Sequence, residues 1–263
     1  MYKLLACDID GTLLRSDRTI SNETIDAINK MKSLGFHFII CTGRPLMGVR
    51  NIIDMLGYSG NLITYNGGII ANTNGDILYE ELMDHYNSIK AIELGNKYNL
   101  TICVWVNDKL YANRLDENLI RYCDICKEPY EIVDSFDELI VNGTNKILYT
   151  SSDELTSFIY PKVLSEFAGD ATIVKSQPFL IEFMSRKVSK GEGLKKLCEI
   201  MGIDIKETIG IGDEVNDISL ILESGLGATL DNGVKECKEI ASLITPSNDE
   251  DGVRHLIENY FLK

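Results

Sequence analysis

Lys3-Leu4-Leu5-Ala6-Cys7-Asp8-Ile9-Asp10-Gly11-Thr12-Leu13-Leu14 is an apolar run of strand length that breaks into two acids one residue apart, followed by Gly-Thr. Such a run reads as a strand buried in a sheet, ending where it can deliver carboxylates to the sheet edge. Side chains alternate along a strand, so the spacing predicts Asp8 and Asp10 on one side. Taken by itself, Asp-x-Asp-Gly is more often a solvated turn after a strand, and what overturns that reading lies far downstream.

Working outward, Ser21 is a helix N-cap, and Ile25, Ile28, Met31 and Leu34 recur at helical spacing until Gly35. A second apolar strand, 36 to 41, runs into Thr42-Gly43-Arg44-Pro45, with Pro45 placed as the first residue of a helix that continues to Gly57. A third strand, 62 to 65, runs into Asn66-Gly67-Gly68. Strands alternating with helices imply a parallel sheet whose strand C-termini share one edge, the place where open α/β sheets bind ligands. Asp8, Asp10, Thr42, Arg44 and Asn66 are predicted to meet there.

The rhythm changes near residue 69. A hairpin over 69 to 79, with Asn74-Gly75 in its turn, leads into a helix (84–98), a strand pair (101–106 and 109–113), a helix (116–127), a strand (145–151), a helix (153–168) and a strand pair (171–176 and 179–184). Strands in adjacent pairs between helices suit an α+β module better than a continuing parallel sheet. The predicted organisation is a catalytic core of residues 1–82 and 187–263 with an inserted module of residues 83–186. The first rhythm resumes after Ser189 with a helix, a strand at 208–211 ending in Gly212-Asp213-Glu214-Val215-Asn216-Asp217, further short strands at 226–230 and 242–245, and a last helix over 252–261.

The chain has 263 residues, 44% of them hydrophobic, enough for a full core. Acids outnumber basic residues by 40 to 26, giving a net charge of -14, and no basic run is interleaved with aromatics, which argues against nucleic acid and anionic membranes as partners. No signal-type segment or bilayer-length apolar run is seen, so a cytoplasmic protein is expected. Seven scattered cysteines suit free thiols in a reducing compartment, and Cys123-x-x-Cys126 lacks the second pair a zinc site needs. Oligomeric state is not legible.

Polar clusters thus fall at strand ends or helix starts: Asp8/Asp10, Thr42-Gly43-Arg44, Lys190, and Asp213/Asn216/Asp217. Several acids, one lysine and small hydroxyl or glycine positions suit a hard cation such as Mg2+ together with a phosphate. In order, these residues resemble the four motifs of the haloacid dehalogenase-like phosphatases, over essentially the whole chain, and the insertion is similar to the cap of their Cof-like, class IIB members. The fold implied is α/β, a Rossmann-like parallel-sheet core with an inserted α+β cap. The activity implied is Mg2+-dependent hydrolysis of a small phosphorylated metabolite: sugar phosphates first, phosphorylated cofactors such as FMN or pyridoxal phosphate next.

By this resemblance Asp8 is the nucleophile, forming an aspartyl-phosphate, and Asp10 the general acid and base. Mg2+ is held by the Asp8 carboxylate, the Asp10 backbone carbonyl and Asp213, with Asp217 a further or water-mediated ligand; an acidic helix start is the alternative for Asp213 to Asp217. Thr42 hydrogen-bonds the phosphate, Gly43 lets the backbone approach it, and Lys190 pairs with the phosphate and Asp8. Asn216 orients Asp8 or the phosphate. Arg44 suits substrate oxygens or a surface salt bridge, Asn66 the substrate or only its turn, and Asn248 a loop beside the site or a helix cap. The stretch 227–233 departs from the family's usual Ala-Met-Gly-Asn-Ala-like sequence without removing a catalytic residue. A phosphosugar mutase, a receiver-like module and a non-catalytic metabolite-binding protein are the rival readings.

Overall fold

A computed structural model describes residues 1–126 and 128–263, the side chains of Ile125 and Cys126 excepted. The Cys123-x-x-Cys126 stretch therefore falls partly outside the described residues, whereas Cys7, Cys41, Cys198 and Cys237 are free, buried thiols. The chain divides into two compact units, Met1–Arg44 with Val49–Glu80 and Ser189–Lys263, and Pro45–Gly48 with Glu81–Val188.

In chain order, the first unit begins with β1 (Leu4–Cys7), α1 (Asn22–Ser33), β2 (His37–Cys41), α2 (Arg50–Leu56), β3 (Asn61–Thr64), β4 (Ile69–Asn72) and β5 (Ile77–Glu80). The second unit carries α3 (His85–Lys97), β6 (Thr101–Val106), β7 (Lys109–Ala112), α4 (Glu117–Cys126), β8 (Tyr130–Ile132), β9 (Lys146–Thr150), α5 (Asp153–Glu166), β10 (Thr172–Gln177) and β11 (Leu180–Met184). The first unit is then completed by α6 (Lys190–Met201), β12 (Thr208–Ile211), α7 (Ile218–Glu223), β13 (Leu226–Leu230), α8 (Lys235–Ile240), β14 (Leu243–Thr245) and α9 (Gly252–Tyr260).

The first unit is built on an eight-stranded sheet of order β14-β13-β12-β1-β2-β3-β4-β5, in which β4 pairs antiparallel with both β3 and β5 and the other neighbours pair parallel. Strand β1 lies inside this sheet, and Leu4, Leu5, Ala6 and Cys7 are wholly buried, as an all-apolar strand requires. Leu4 and Ala6 join Ile39 and Cys41 of β2, Leu194 and Leu197 of α6, and Leu220 of α7. Leu5 and Cys7 face the other way by alternation. The register decides where the polar residues go: Cys7 pairs with Ile211 on one side and Ile40 on the other, which sets Asp8 level with Gly212 and Cys41 at one sheet edge.

The second unit is a six-stranded sheet of order β10-β11-β9-β6-β7-β8. Ile102, Val104, Ile147, Ile181 and Phe183 pack with Ala91 of α3 and Val163 of α5. Trp105, on the opposite face by alternation, donates from its indole to the Tyr122 hydroxyl of α4 at 2.9 Å.

Three features differ from expectation. The α-helix predicted from Pro45 starts at Arg50, after a 3-10 turn over Met47–Val49, so no regular helix N-terminus lies directly behind Gly43. Strand β8 was not predicted, being three exposed residues on a sheet edge. Helix α8 was not predicted either: in Lys-Glu-Cys-Lys-Glu-Ile only Cys237 is buried, so no apolar periodicity marks it.

Gly67 sits where the turn after β3 meets the start of α6, with φ +100° and only 2.2 Å between a Cβ placed there and the Ser189 carbonyl oxygen. Gly67→Ala is expected to destabilise by about 1–3 kcal/mol from backbone strain, before the overlap is counted. Urea denaturation measures it, and an unshifted midpoint would mean that α6 is not seated on this turn.

Candidate active site

Each polar residue is carried by a strand end or helix start of the first unit. Asp8 follows β1 directly, its N-H donating to the Ile211 carbonyl at 3.0 Å. Lys190 is the first residue of α6, whose N-cap Ser189 accepts from the Glu192 N-H. Close packing of α6 on α7 brings this start inward: Gly191 donates to the Ser219 hydroxyl at 3.1 Å, and a Cβ on Gly191 would lie 2.5 Å from the Ser219 carbonyl oxygen. The Lys190 side chain is 1% exposed.

Its ammonium donates to Asp8 Oδ1 at 2.6 Å and to Asp217 Oδ1 at 2.5 Å. The second Asp217 oxygen accepts from the backbone N-H groups of Asp213 and Glu214, both at 3.0 Å, which closes the turn after β12. Gly212 makes room for it, since a Cβ there would lie 2.1 Å from Asp217 Cγ. Asp213 in turn accepts from the Thr12 hydroxyl at 2.6 Å. Carboxylate oxygens of Asp8, Asp213 and Asp217 all come within 4.8 Å of one another, and all three residues are buried.

One ammonium faces three acids, so the fully ionised cluster would carry a net charge of −2 on largely buried groups. Burial pushes the Asp8 carboxyl well above the usual carboxylate range; Lys190 opposes this, and the charges of Asp217 and Asp213 add to it. Burial likewise raises Asp213, to about 6, against the Thr12 hydrogen bond and with the Asp217 charge. For Lys190 burial favours the neutral form, but Asp217 and Asp8 outweigh it and hold the ammonium charged. The donor set, all carboxylate oxygen with an excess of two negative charges, fits a hard divalent cation such as Mg2+.

The remaining predicted residues fall into separate groups. Thr42 is buried, with its N-H on the Ile63 carbonyl and its hydroxyl accepting from the Arg44 N-H at 3.2 Å. Asn66 stands in the left-handed region at φ +56°, donates from its N-H to the Thr42 carbonyl, and accepts from the Asn216 amide at 3.0 Å. A Cβ at Gly43 would lie 2.9 Å from the Asn66 Oδ1, so Thr42-Gly43, Asn66 and Asn216 form one tight group. Asn248 lies apart, its amide donating to the Leu14 carbonyl at 2.9 Å and its N-H to Asn232 Oδ1.

Asp10 does not share Asp8's side. Strand β1 ends at Cys7, the next residues form a tight turn with Gly11 at φ +78°, and alternation no longer applies. The Asp8 side chain is 8% exposed and that of Asp10 60%, and the latter is paired with Arg44.

Sequence reasoning passed over Thr12 and Asn232. Thr12 stands inside the opening motif, yet its hold on Asp213, 201 residues away, has no local signal. Asn232 donates to the Gly11 carbonyl at 2.8 Å while accepting from Asn248, so it ties the late loop to the first turn.

The chain matches the family model described as haloacid dehalogenase-like hydrolase over residues 5–257. It is 31% identical to the 5-amino-6-(5-phospho-D-ribitylamino)uracil phosphatase YcsE of Bacillus subtilis, over 99% of this chain and 96% of that one. It is 28% identical to the phosphatase YwpJ of the same organism, over 98% of this chain and 99% of that protein. A solved HAD subclass IIB sugar phosphatase, BT4131, superposes with a TM-score of 0.81 at 22% identity, covering 98% of each chain; at that identity the likeness carries the fold alone.

The raised Asp213 predicts a pH signature in metal-free protein. An unfolded aspartate titrates near about 3.9, and the folded one at about 6, so the folded state holds this proton more tightly. The stability it contributes is complete below about 4 and is lost as pH rises through about 6. With EDTA present, the thermal midpoint of Asp213→Asn should therefore gain on the parent as pH goes from about 4 to about 7. A constant difference across that window would contradict the raised carboxyl.

Proposed function

The chain belongs to the haloacid dehalogenase-like hydrolase family, and on that premise we propose that this phosphatase is a Mg2+-dependent enzyme cleaving small phosphomonoesters through an aspartyl-phosphate on Asp8. The observation that carries this reading is the Asp8 carboxylate itself. Its Oδ1 is engaged by a buried ammonium, while Oδ2 accepts no hydrogen bond among the described residues and is left to attack phosphorus.

The obstacle to such an attack is charge. Two like charges 4 Å apart repel by about 4 kcal/mol at an effective dielectric near 20. Lys190, held in place by Asp217, supplies one positive charge beside the nucleophile. Asp8, Asp213, the Asp10 carbonyl and Asp217 would hold Mg2+, which when bound shields the phosphate charge and orients the group. Thr42 is assigned to a phosphate oxygen, Gly43 to close backbone approach, and Asn66 and Asn216 to the walls of the same group. Asp10 protonates the leaving oxygen and later takes a proton from the attacking water. For Asn248 the bond to Leu14 supports a loop-holding role more than direct substrate contact.

The substrate is assigned to small phosphorylated metabolites, sugar or polyol phosphates before phosphorylated cofactors such as FMN or pyridoxal phosphate. The phospho-D-ribityl group in the name of YcsE supports a polyol phosphate. Choice among substrates is assigned to the inserted residues 83–186, because the polar groups gathered around Asp8 are suited to the phosphate common to every candidate.

Phosphate release from p-nitrophenyl phosphate should require Mg2+, stop with EDTA, and fall by at least about 100-fold in Asp8→Asn and in Lys190→Ala. Undiminished turnover in Asp8→Asn would overturn the assigned nucleophile. A panel of sugar and polyol phosphates, read by phosphate release, tests the substrate class.

A further inference from the structure

Asp10 is an exposed carboxylate on a short turn, with only its side-chain torsions to set where it points. Among the described residues, Arg44 is its sole side-chain partner, and it engages both oxygens: Nε donates to Oδ2 at 2.8 Å and Nη2 to Oδ1 at 2.6 Å. Two parallel bonds from a planar fork fix the plane of a carboxylate as well as its distance. The base of the fork is itself fixed, since the Arg44 N-H donates to the Thr42 hydroxyl and its carbonyl accepts from the Tyr65 N-H at 3.0 Å. A pair this exposed adds little stability. Its consequence is orientation.

The geometry points to Arg44 as a positioning residue for proton transfer, holding Asp10 rather than the substrate. This inference rests on the acid and base role given to Asp10 above. In the first half-reaction a bond forms from an Asp8 oxygen to phosphorus and the ester P–O bond breaks. The Asp10 proton goes to the leaving oxygen, the alcohol departs neutral, and Asp10 is left as a carboxylate. That ionised form is the one able to accept both Arg44 bonds. In the second half-reaction a water oxygen bonds to phosphorus, the bond to Asp8 breaks, and the water proton passes to Asp10. Protonated again on one oxygen, Asp10 keeps its bond to Arg44 through the other.

A series of leaving groups separates this role from substrate binding. A nitrophenolate departs without help, whereas an alkoxide needs its proton, so a misplaced acid slows benzyl phosphate far more than p-nitrophenyl phosphate. We expect kcat/KM of Arg44→Ala to fall about tenfold or more further on benzyl phosphate than on p-nitrophenyl phosphate, with Asp10→Asn showing the same pattern. The double variant should fall no further than Asp10→Asn alone, because the two residues act as a unit. Arg44→Lys, able to hold one oxygen only, should lie between parent and Arg44→Ala, and its thermal midpoint should match the parent. An equal loss across the series, losses that multiply in the double variant, or full activity in Arg44→Lys would overturn the inference. Absence of Mg2+-dependent phosphate release by the parent would instead overturn the reading beneath it.

Discussion

The interaction on which the site depends is the buried ammonium of Lys190 between Asp8 and Asp217. Without it, three buried carboxylates with oxygens within 4.8 Å of one another would have no cation between them, and the protonated forms would be favoured further. With it, the Asp8 carboxyl is drawn back toward its charged form, against the burial and the neighbouring Asp217 and Asp213 charges that favour the proton. Removing either partner of such a pair strands a charge in the interior. Glycines at 67, 191 and 212 follow from the same demand, because each clears space for the backbone or carboxylate that seats the lysine.

Around that pair the structure divides labour by exposure. Asp8 and Asp10 are two residues apart, yet one is sunk in the charged cluster and the other stands outward on the Arg44 fork. The divergence comes as the chain leaves strand β1 after Cys7 and enters a tight turn over Ile9–Leu13, and Gly11 is required twice in that turn. Its φ of +78° disfavours a side chain, and a Cβ would lie 2.2 Å from Asp213 Oδ2. The same few residues therefore hold a buried and an exposed carboxylate apart and keep Asp213 in reach of Thr12.

Much of this was legible beforehand. The parallel sheet followed from apolar runs alternating with helical periodicity, and the inserted α+β module from strands that came in pairs. Motifs quoted from the chain located Asp8, Thr42, Lys190 and Asp213 at strand ends or helix starts. Most of what stayed hidden shares a cause: hydrogen bonds between distant segments leave no periodic trace. Thr12 with Asp213 and Asn232 with Gly11 each join residues far apart in the chain, and although Arg44 and Asp10 were expected at one sheet edge, their two-bond pairing was not. The short elements α8 and β8 were hidden too, α8 burying only Cys237 and β8 no residue.

The sequence by itself determined which elements form and which chemical groups stand at their ends, because both depend on side-chain polarity at local spacing. Only the tertiary structure decided what those groups do to one another. Register set Asp8 level with Gly212 and Cys41, helix packing drove Lys190 inward, and the turn after β1 sent Asp10 to Arg44. Charge interactions fall off with distance and strengthen with burial, and both are properties of the folded chain.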